Sequence, residues 1–198
     1  IRDELPGCEA DVLYGEHHES HAASAFYPSP FEQAAVLTID GVGEWATSSI
    51  GMGRGNDLEI LHELRFPHSL GLLYSAFTYF AGFKVNSGEY KVMGLAPYGR
   101  NSSLFAGAFE FPSPLTWKRG VTDAAILTRC RNRRFDDLAA SAQREVELLL
   151  PVWIRNAIYE TGIRNVACAG GVFMNVKANL QSSTAANPPR SRLGEPVG

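Results

Sequence analysis

The sequence predicts a mixed α/β fold, and three observations carry that prediction. Three strand-like runs lie close together in the first third of the chain, joined by Gly- and Asn-bearing turns. Two segments of helical period follow them. A short apolar run then ends in Gly-Gly and opens a further helix.

Taken in order, residues 15–26 form the first helix, rich in His, Glu, Ala and Ser, with Pro28 and Pro30 beyond its end. The run AAVLTID, Ala34 to Asp40, is nearly all apolar and is expected to be buried on both faces. GVGEW, Gly41 to Trp45, is a tight turn, and residues 46–52 form the returning strand. After a second turn at Gly53, Gly55, Asn56 and Asp57, residues 58–66 alternate. Leu58, Ile60, His62, Leu64 and Phe66 are thereby expected on one face of an antiparallel meander.

A helix starts near Ser69, repeats Leu70, Leu73, Phe77 and Phe80, and closes at Gly82. Residues 86–99 read as loop with no more than one helical turn. Residues 100–135 show no firm period; their cluster Arg129, Arg131, Arg133 and Arg134 reads as solvated surface. A long helix spans about 137–160, with a kink expected at Pro151. A short buried strand at 165–169 meets Gly170 and Gly171, and a helix begins over 172–179. The stretch 181–198 is rich in Ser, Pro, Arg and Gly without period and is expected to be a disordered or unrelated tail.

Composition narrows the function classes. The chain has 198 residues, 45% hydrophobic and 20% charged, which suits one soluble globular unit. A net charge of -3 gives no basic surface for nucleic acid. No apolar run approaches the roughly 18 residues of a membrane span, and no signal peptide is visible. Cys8, Cys130 and Cys168 are odd in number and lack metal-like spacing, so reduced thiols and a cytoplasmic location are expected.

Four segments can carry chemistry. In HHESH, His17 and His21 stand one helical turn apart, so they can share a transition metal or simply mark a His-rich surface helix. A metal would need a third ligand, and nothing adjacent in sequence supplies one. In IDGVGEW, Asp40 ends a buried strand before Gly41 and Gly43. Such a turn can cradle phosphate and reach a phosphate-bound Mg²⁺, or serve only as a hairpin. In CAGGVFMN, Gly170 and Gly171 let a flat ring or phosphate approach the backbone, or merely connect strand to helix. In NSGEYKVMGLA, Lys91 beside Glu89 can neutralise phosphate, or be solvated loop.

Read together, these segments resemble one family. HHESHAASAFYPSPFEQAAVLTIDGVGEW, FPHSLGLLYSAFTYFAGFKVNSGEYKVMGLAPYG and AGGVFMNVKAN look like the carbamoyltransferases of nodulation-factor and antibiotic biosynthesis. The likeness is nearly continuous over residues 16–100 and resumes over 138–179. It implies a partial actin-like ATPase domain over residues 1–180, with a mixed sheet and flanking helices. In such enzymes a second domain makes carbamoyl adenylate from carbamoyl phosphate and ATP. The actin-like domain passes the carbamoyl group to an acceptor hydroxyl and holds a metal, usually iron.

By position, the resemblance makes His17 and His21 metal ligands and Asp40, Gly41 and Gly43 the phosphate loop. Gly170, Gly171 and Asn175 become the adenosine-side loop, with Glu89 and Lys91 facing the nucleotide. It also implies that a first phosphate loop with the catalytic base, an Asp as third metal ligand, and the adenylate-forming domain all lie outside these residues. No catalytic residue is therefore assigned. An isolated chain is expected to lack turnover and to depend on a partner, such as a separate half-enzyme chain. The alternatives are a hydrogenase-maturation-type carbamoyltransferase segment or a non-catalytic nucleotide- or metal-binding remnant.

Overall fold

The computed structural model describes residues 13–100, 103–107, 109–110, 118–119 and 123–186, together with Gly7 and Asp11. The chain runs α1 (His17–Phe26), β1 (Gln33–Gly43), β2 (Ala46–Arg54), β3 (Asp57–Arg65), α2 (Leu70–Phe80) and α3 (Glu89–Leu95). A short pairing of β4 (Phe109–Glu110) with β5 (Lys118–Arg119) follows, then α4 (Asp123–Cys130), α5 (Phe135–Thr161), β6 (Val166–Ala169) and α6 (Val176–Ala186). Single 3-10 turns sit at Ala96–Tyr98 and Gly171–Met174.

The main sheet has the order β3-β2-β1-β6. β1, β2 and β3 form the expected antiparallel meander, and β6 joins β1 in parallel, from Ala35 opposite Val166 to Thr38 opposite Ala169. The sheet is therefore mixed and the fold is α/β, as its sequence order implies.

β1 is apolar over Ala34–Leu37 and at Ile39 because it has helices on both sides. Ala34 and Val36 face α1 and pack with Ala22, Phe26 and Ala167. Ala35, Leu37 and Ile39 face the larger core, with Ile50, Leu70, Phe77, Leu149 and Trp153. Each fully buried Leu or Ile here stabilises by about 1.5–3 kcal/mol relative to exposure. β2 is thinned on the α1 side: a Cβ at Gly53 would stand 2.5 Å from the Phe26 ring. Glycine at that position is what lets α1 lie close to the sheet.

β3 departs from the expected alternation. Ile50 pairs with His62 while Gly51 pairs with Ile60, so Leu61 is left over as a bulge. A one-residue bulge reverses which face each later side chain occupies. Leu58 and Ile60 pack with the α1 cluster, whereas Leu64 belongs to the larger core. His62 pairs with Glu160 of α5 at 3.4 Å.

The helix ends follow their caps. Ser69 accepts a hydrogen bond from the Leu72 N–H at 3.0 Å and starts α2, and Gly82 beyond its end has φ +82. α5 is longer than expected and continues on both sides of Pro151. The segment expected to be loop around residue 89 is instead a helix of seven residues. α6 continues through Ala186, into the stretch expected to be unstructured; residues 187–198 lie outside the described residues, as does Cys8. Cys130 and Cys168 are free thiols, and burial pushes Cys168 up to about 12. Among the described residues, no helix is long and apolar enough to cross a membrane.

One buried acid makes the fold pH-dependent. Glu145 of α5 is 8% exposed, and burial lifts its carboxyl to about 7, with Arg144 opposing. The folded value lies above the ordinary 4.5, so this stability is full below that pH and is lost as the pH rises through 7. Glu145→Gln should remove the dependence. Urea melts should show it gaining about 1–2 kcal/mol on the wild type between about pH 4 and about pH 8.

Candidate functional site

The site forms where α1 crosses the end of β1. His17 and His21 sit one turn apart on α1 and point at the same carboxylate. His17 Nε2 lies 3.0 Å, and His21 Nε2 2.9 Å, from Asp40 Oδ2. The other oxygen, Oδ1, accepts from the Gly41 N–H at 2.8 Å. Burial pushes the Asp40 carboxyl up, but the hydrogen bonds from His17, the Gly41 N–H and His21 outweigh it and hold the group below its usual range. Asp40 is therefore an ionised carboxylate facing two imidazoles.

This donor set suits a divalent transition metal. Two imidazole nitrogens and one carboxylate oxygen lie within 4.8 Å of one another. Two His and one carboxylate on one face is the arrangement that favours non-haem Fe(II). Ligands at right angles on bonds of about 2.1 Å would stand about 3.0 Å apart, close to the two distances observed. Sequence order hid this third donor. Asp40 reads as a phosphate-loop residue, yet the chain folds back after Phe26 and brings it under α1.

A second histidine contact fixes α1 in place. His18 is buried; its Nε2–H donates to the Ala46 carbonyl at 3.0 Å, and its Nδ1 accepts from the Thr38 hydroxyl at 2.5 Å. Ser49 bonds Thr38 in turn at 2.6 Å. Burial lowers the His18 pKa, against the pull of the Ala46 hydrogen bond, which suits the neutral ring this network needs. His18→Leu should leave the Ala46 carbonyl and the Thr38–Ser49 hydroxyl pair each one hydrogen bond short and destabilise by about 1–3 kcal/mol in urea unfolding. A loss below about 0.5 kcal/mol would show that the network holds nothing.

The glycines of the two loops pack against the same point. A Cβ at Gly43 would overlap the His17 ring, and one at Gly170 would overlap the Ile39 carbonyl. A Cβ at Gly171 would meet Asp40 Oδ1 at 2.9 Å. These three glycines are thus required by close internal packing. Gly41 differs: a Cβ there would meet only Leu72 Cδ2, in ordinary contact at 3.8 Å, while its N–H is taken by Asp40 Oδ1 and α2 packs closely behind it, so that a Cβ at Gly71 would stand 2.7 Å from the Gly41 nitrogen. Ser69 closes the far side by donating to the Gly41 carbonyl. Ser69 and His18 were not singled out by sequence; the helix-start position of Ser69 was the available signal.

The remaining expected residues are engaged elsewhere. Glu89 accepts from the Asn86 N–H at 3.0 Å, the Gly88 N–H at 3.1 Å and Ser75 Oγ at 2.9 Å, and so builds the start of α3. Lys91 is exposed, its Nζ 5.9 Å from the Tyr90 ring centre and 6.0 Å from that of Phe83. Asn175 exchanges amide hydrogen bonds with Gln143 at 2.9 and 3.0 Å and caps Ala178 at 3.1 Å. Tyr74 joins this pair by donating to Gln143 Oε1 at 3.1 Å.

Comparison with known proteins decides the family. The model of the carbamoyltransferase N-terminus matches residues 7–113, which include α1, β1 and the whole His17–His21–Asp40 cluster. This chain belongs to the carbamoyltransferase family. Its relatives extend the likeness past the matched region. An uncharacterized Synechocystis protein, sll1178, is 44% identical over 85% of this chain and 31% of its own length. Nodulation protein NolNO of Sinorhizobium fredii is 34% identical over 87% of the chain and 28% of its own length. Nodulation protein NolO of Bradyrhizobium diazoefficiens is 34% identical over 82% of the chain and 32% of its own length. The carbamoyltransferase chain thus spans about a third of the length of the relatives it matches.

Proposed function

We propose that the chain forms the metal- and phosphate-binding part of an ATP-dependent carbamoyltransferase. That enzyme moves a carbamoyl group from carbamoyl phosphate, through carbamoyl adenylate, to an acceptor hydroxyl. The observation that carries this reading is the convergence of His17, His21 and Asp40 within the family-matched segment.

The residues suit the task. His17, His21 and Asp40 would hold Fe²⁺ or another divalent transition metal, which when bound supplies a Lewis acid for a carbonyl oxygen. Asp40 is fixed from three sides, so the donors are oriented before any ligand arrives. The Gly41 turn would take the phosphates of ATP with their Mg²⁺, since a Cβ at Gly41 would meet nothing closer than 3.8 Å. The free thiols Cys130 and Cys168 fit a reducing cytoplasm.

A second reading is a non-catalytic metal- or nucleotide-binding remnant. The internal engagement of Glu89 and Asn175 favours it.

Metal analysis and ATP binding test the proposal. The 198-residue chain reconstituted with Fe²⁺ should retain close to one equivalent and should bind ATP. A His17→Ala, His21→Ala double variant should retain no metal. Turnover is expected only from a polypeptide of the relatives' length. Label passing from carbamoyl phosphate to an acceptor on the 198-residue chain alone would overturn that division. ATP and metal binding with no transfer at full length would leave the remnant reading.

A further inference from the structure

Gln143 of α5 is 3% exposed, and every donor and acceptor of its amide is in use. Its Nε2 donates to Glu147 Oε1 at 2.8 Å and to Asn175 Oδ1 at 3.0 Å. Its Oε1 accepts from the Tyr74 hydroxyl at 3.1 Å and from Asn175 Nδ2 at 2.9 Å. An apolar group of the same shape can fill such a space at little cost. What the amide adds is direction.

That direction is unique. A carboxylate only accepts, so Glu147, itself held by Gln181 Nε2 at 3.1 Å, draws Gln143 Nε2 toward it. Burial, then the charges of Glu147 and Glu89, push the Tyr74 hydroxyl well above its usual range, so it stays protonated and donates to Oε1. At the far end the Ala178 N–H, which only donates, meets Asn175 Oδ1 at 3.1 Å. Asn175 thus commits both lone pairs of its oxygen and one amide hydrogen inside the protein. Its second amide hydrogen has no partner among the described residues, and the residue is only half-buried.

The place of this hydrogen matters. Gly171 borders the metal cluster, since a Cβ there would meet Asp40 Oδ1 at 2.9 Å. A 3-10 turn runs from Gly171 to Met174, just before Asn175. Each residue of such a turn advances about 2 Å, so Asn175 stands roughly 8 Å beyond Gly171. Glu147 and Glu89 lie on this side, and their charges disfavour a phosphate there. An uncharged part of a ligand meets no such penalty.

We propose that Gln143 is a positioning residue. It turns Asn175 so that the uncommitted amide hydrogen is offered, as a donor only, to an acceptor atom on the sugar or base of a nucleotide whose phosphates lie at the Gly41 turn. This rests on the ATP reading of that turn and adds to it the helix residue that orients the nucleoside side.

Binding of ATP and of inorganic tripolyphosphate, each with Mg²⁺, to the 198-residue chain separates the two ends of the ligand. Gln143→Met keeps the reach of the side chain and removes its amide. It should weaken ATP at least about fivefold and change tripolyphosphate by less than about twofold. Asn175→Ala should lose as much. Adding Gln143→Met to it should weaken ATP no further, because Gln143 acts through Asn175. Equal loss of both ligands in Gln143→Met, ATP binding at the wild-type level, or the full loss added on top of Asn175→Ala would each overturn the assignment. An NMR titration of the wild type needs no variant: ATP should shift the unbonded Asn175 amide proton, and tripolyphosphate should not. An unmoved signal at saturating ATP would overturn the assignment even where Gln143→Met fails to fold. Tripolyphosphate bound as tightly as ATP would sink the nucleoside role and leave the phosphate reading standing. Binding of neither would sink both.

Discussion

Asp40→Asn should weaken Fe²⁺ binding at least about 100-fold while leaving the chain folded. The variant keeps the shape of the side chain and an oxygen for the Gly41 N–H, which lies 2.8 Å away. It removes the negative charge that faces His17 Nε2 at 3.0 Å and His21 Nε2 at 2.9 Å. Loss of groups that merely support a metal ligand costs about 10–100-fold. Loss of a charged donor itself should cost more. Asp40→Ala should behave the same way and should also release the ends of His17 and His21. Titration with Fe²⁺ under anaerobic conditions, with circular dichroism as the check on folding, measures both. Wild-type affinity in the folded Asn variant would remove Asp40 from the donor set, and the third ligand would have to come from elsewhere.

The second large effect is at Gly170. Gly170→Ala should destabilise by about 4 kcal/mol or more, whereas Gly162→Ala should cost about 1 kcal/mol. Both glycines have positive φ, +101 and +68. They differ in surroundings. A Cβ at Gly162 would meet nothing within 4 Å, but at Gly170 it would overlap the Ile39 carbonyl and stand 2.7 Å from its carbon. Backbone cannot swing aside as a side chain does, so the Gly170 turn would be pushed off the end of β1. Against a total stability of about 5–15 kcal/mol, that loss leaves a marginal chain. Urea unfolding of the pair sets a left-handed glycine in open space, Gly162 at φ +68 and ψ 6, against Gly170 at φ +101 and ψ 163, where the dihedral cost is higher and the contact cost is added. Equal losses would show that neither the glycine-only dihedral nor the approach to Ile39 contributes anything.

Much of the fold was legible because its signals are local. The apolar β1, the Ser69 start and Gly82 end of α2, and the Gly-Gly after β6 each show in a few adjacent residues. The β3 face assignment failed because a bulge at Leu61 leaves no mark in composition; only the pairing of Ile50 with His62 and Gly51 with Ile60 reveals it. The helix of Glu89 was obscured for a related reason. Its start is built by Glu89 itself, through bonds to Asn86, Gly88 and Ser75, one of which comes from α2. At the site, the histidine pair was visible from its spacing. Its partner was not, because Asp40 carries a strand-end pattern that fits phosphate equally well. The roles of Gln143 with Asn175 and of His18 with Thr38 depend on tertiary contacts that no spacing encodes.

The two sides of the site sit at very different distances along the chain. His17 and His21 reach Asp40 across only 23 and 19 residues, through a helix and its neighbouring strand. The β6 edge that carries Gly170 and Gly171 joins β1 from far downstream, as Asn165 does when it meets Gln33 across 132 residues. Closing a long loop is entropically costlier than closing a short one, and it is slower. The imidazole–carboxylate contacts can therefore form early, and α1 completes its packing when Ala167 of β6 arrives. The glycine-lined wall arrives only once the sheet is complete, so the histidine–carboxylate contacts come within reach before that wall exists.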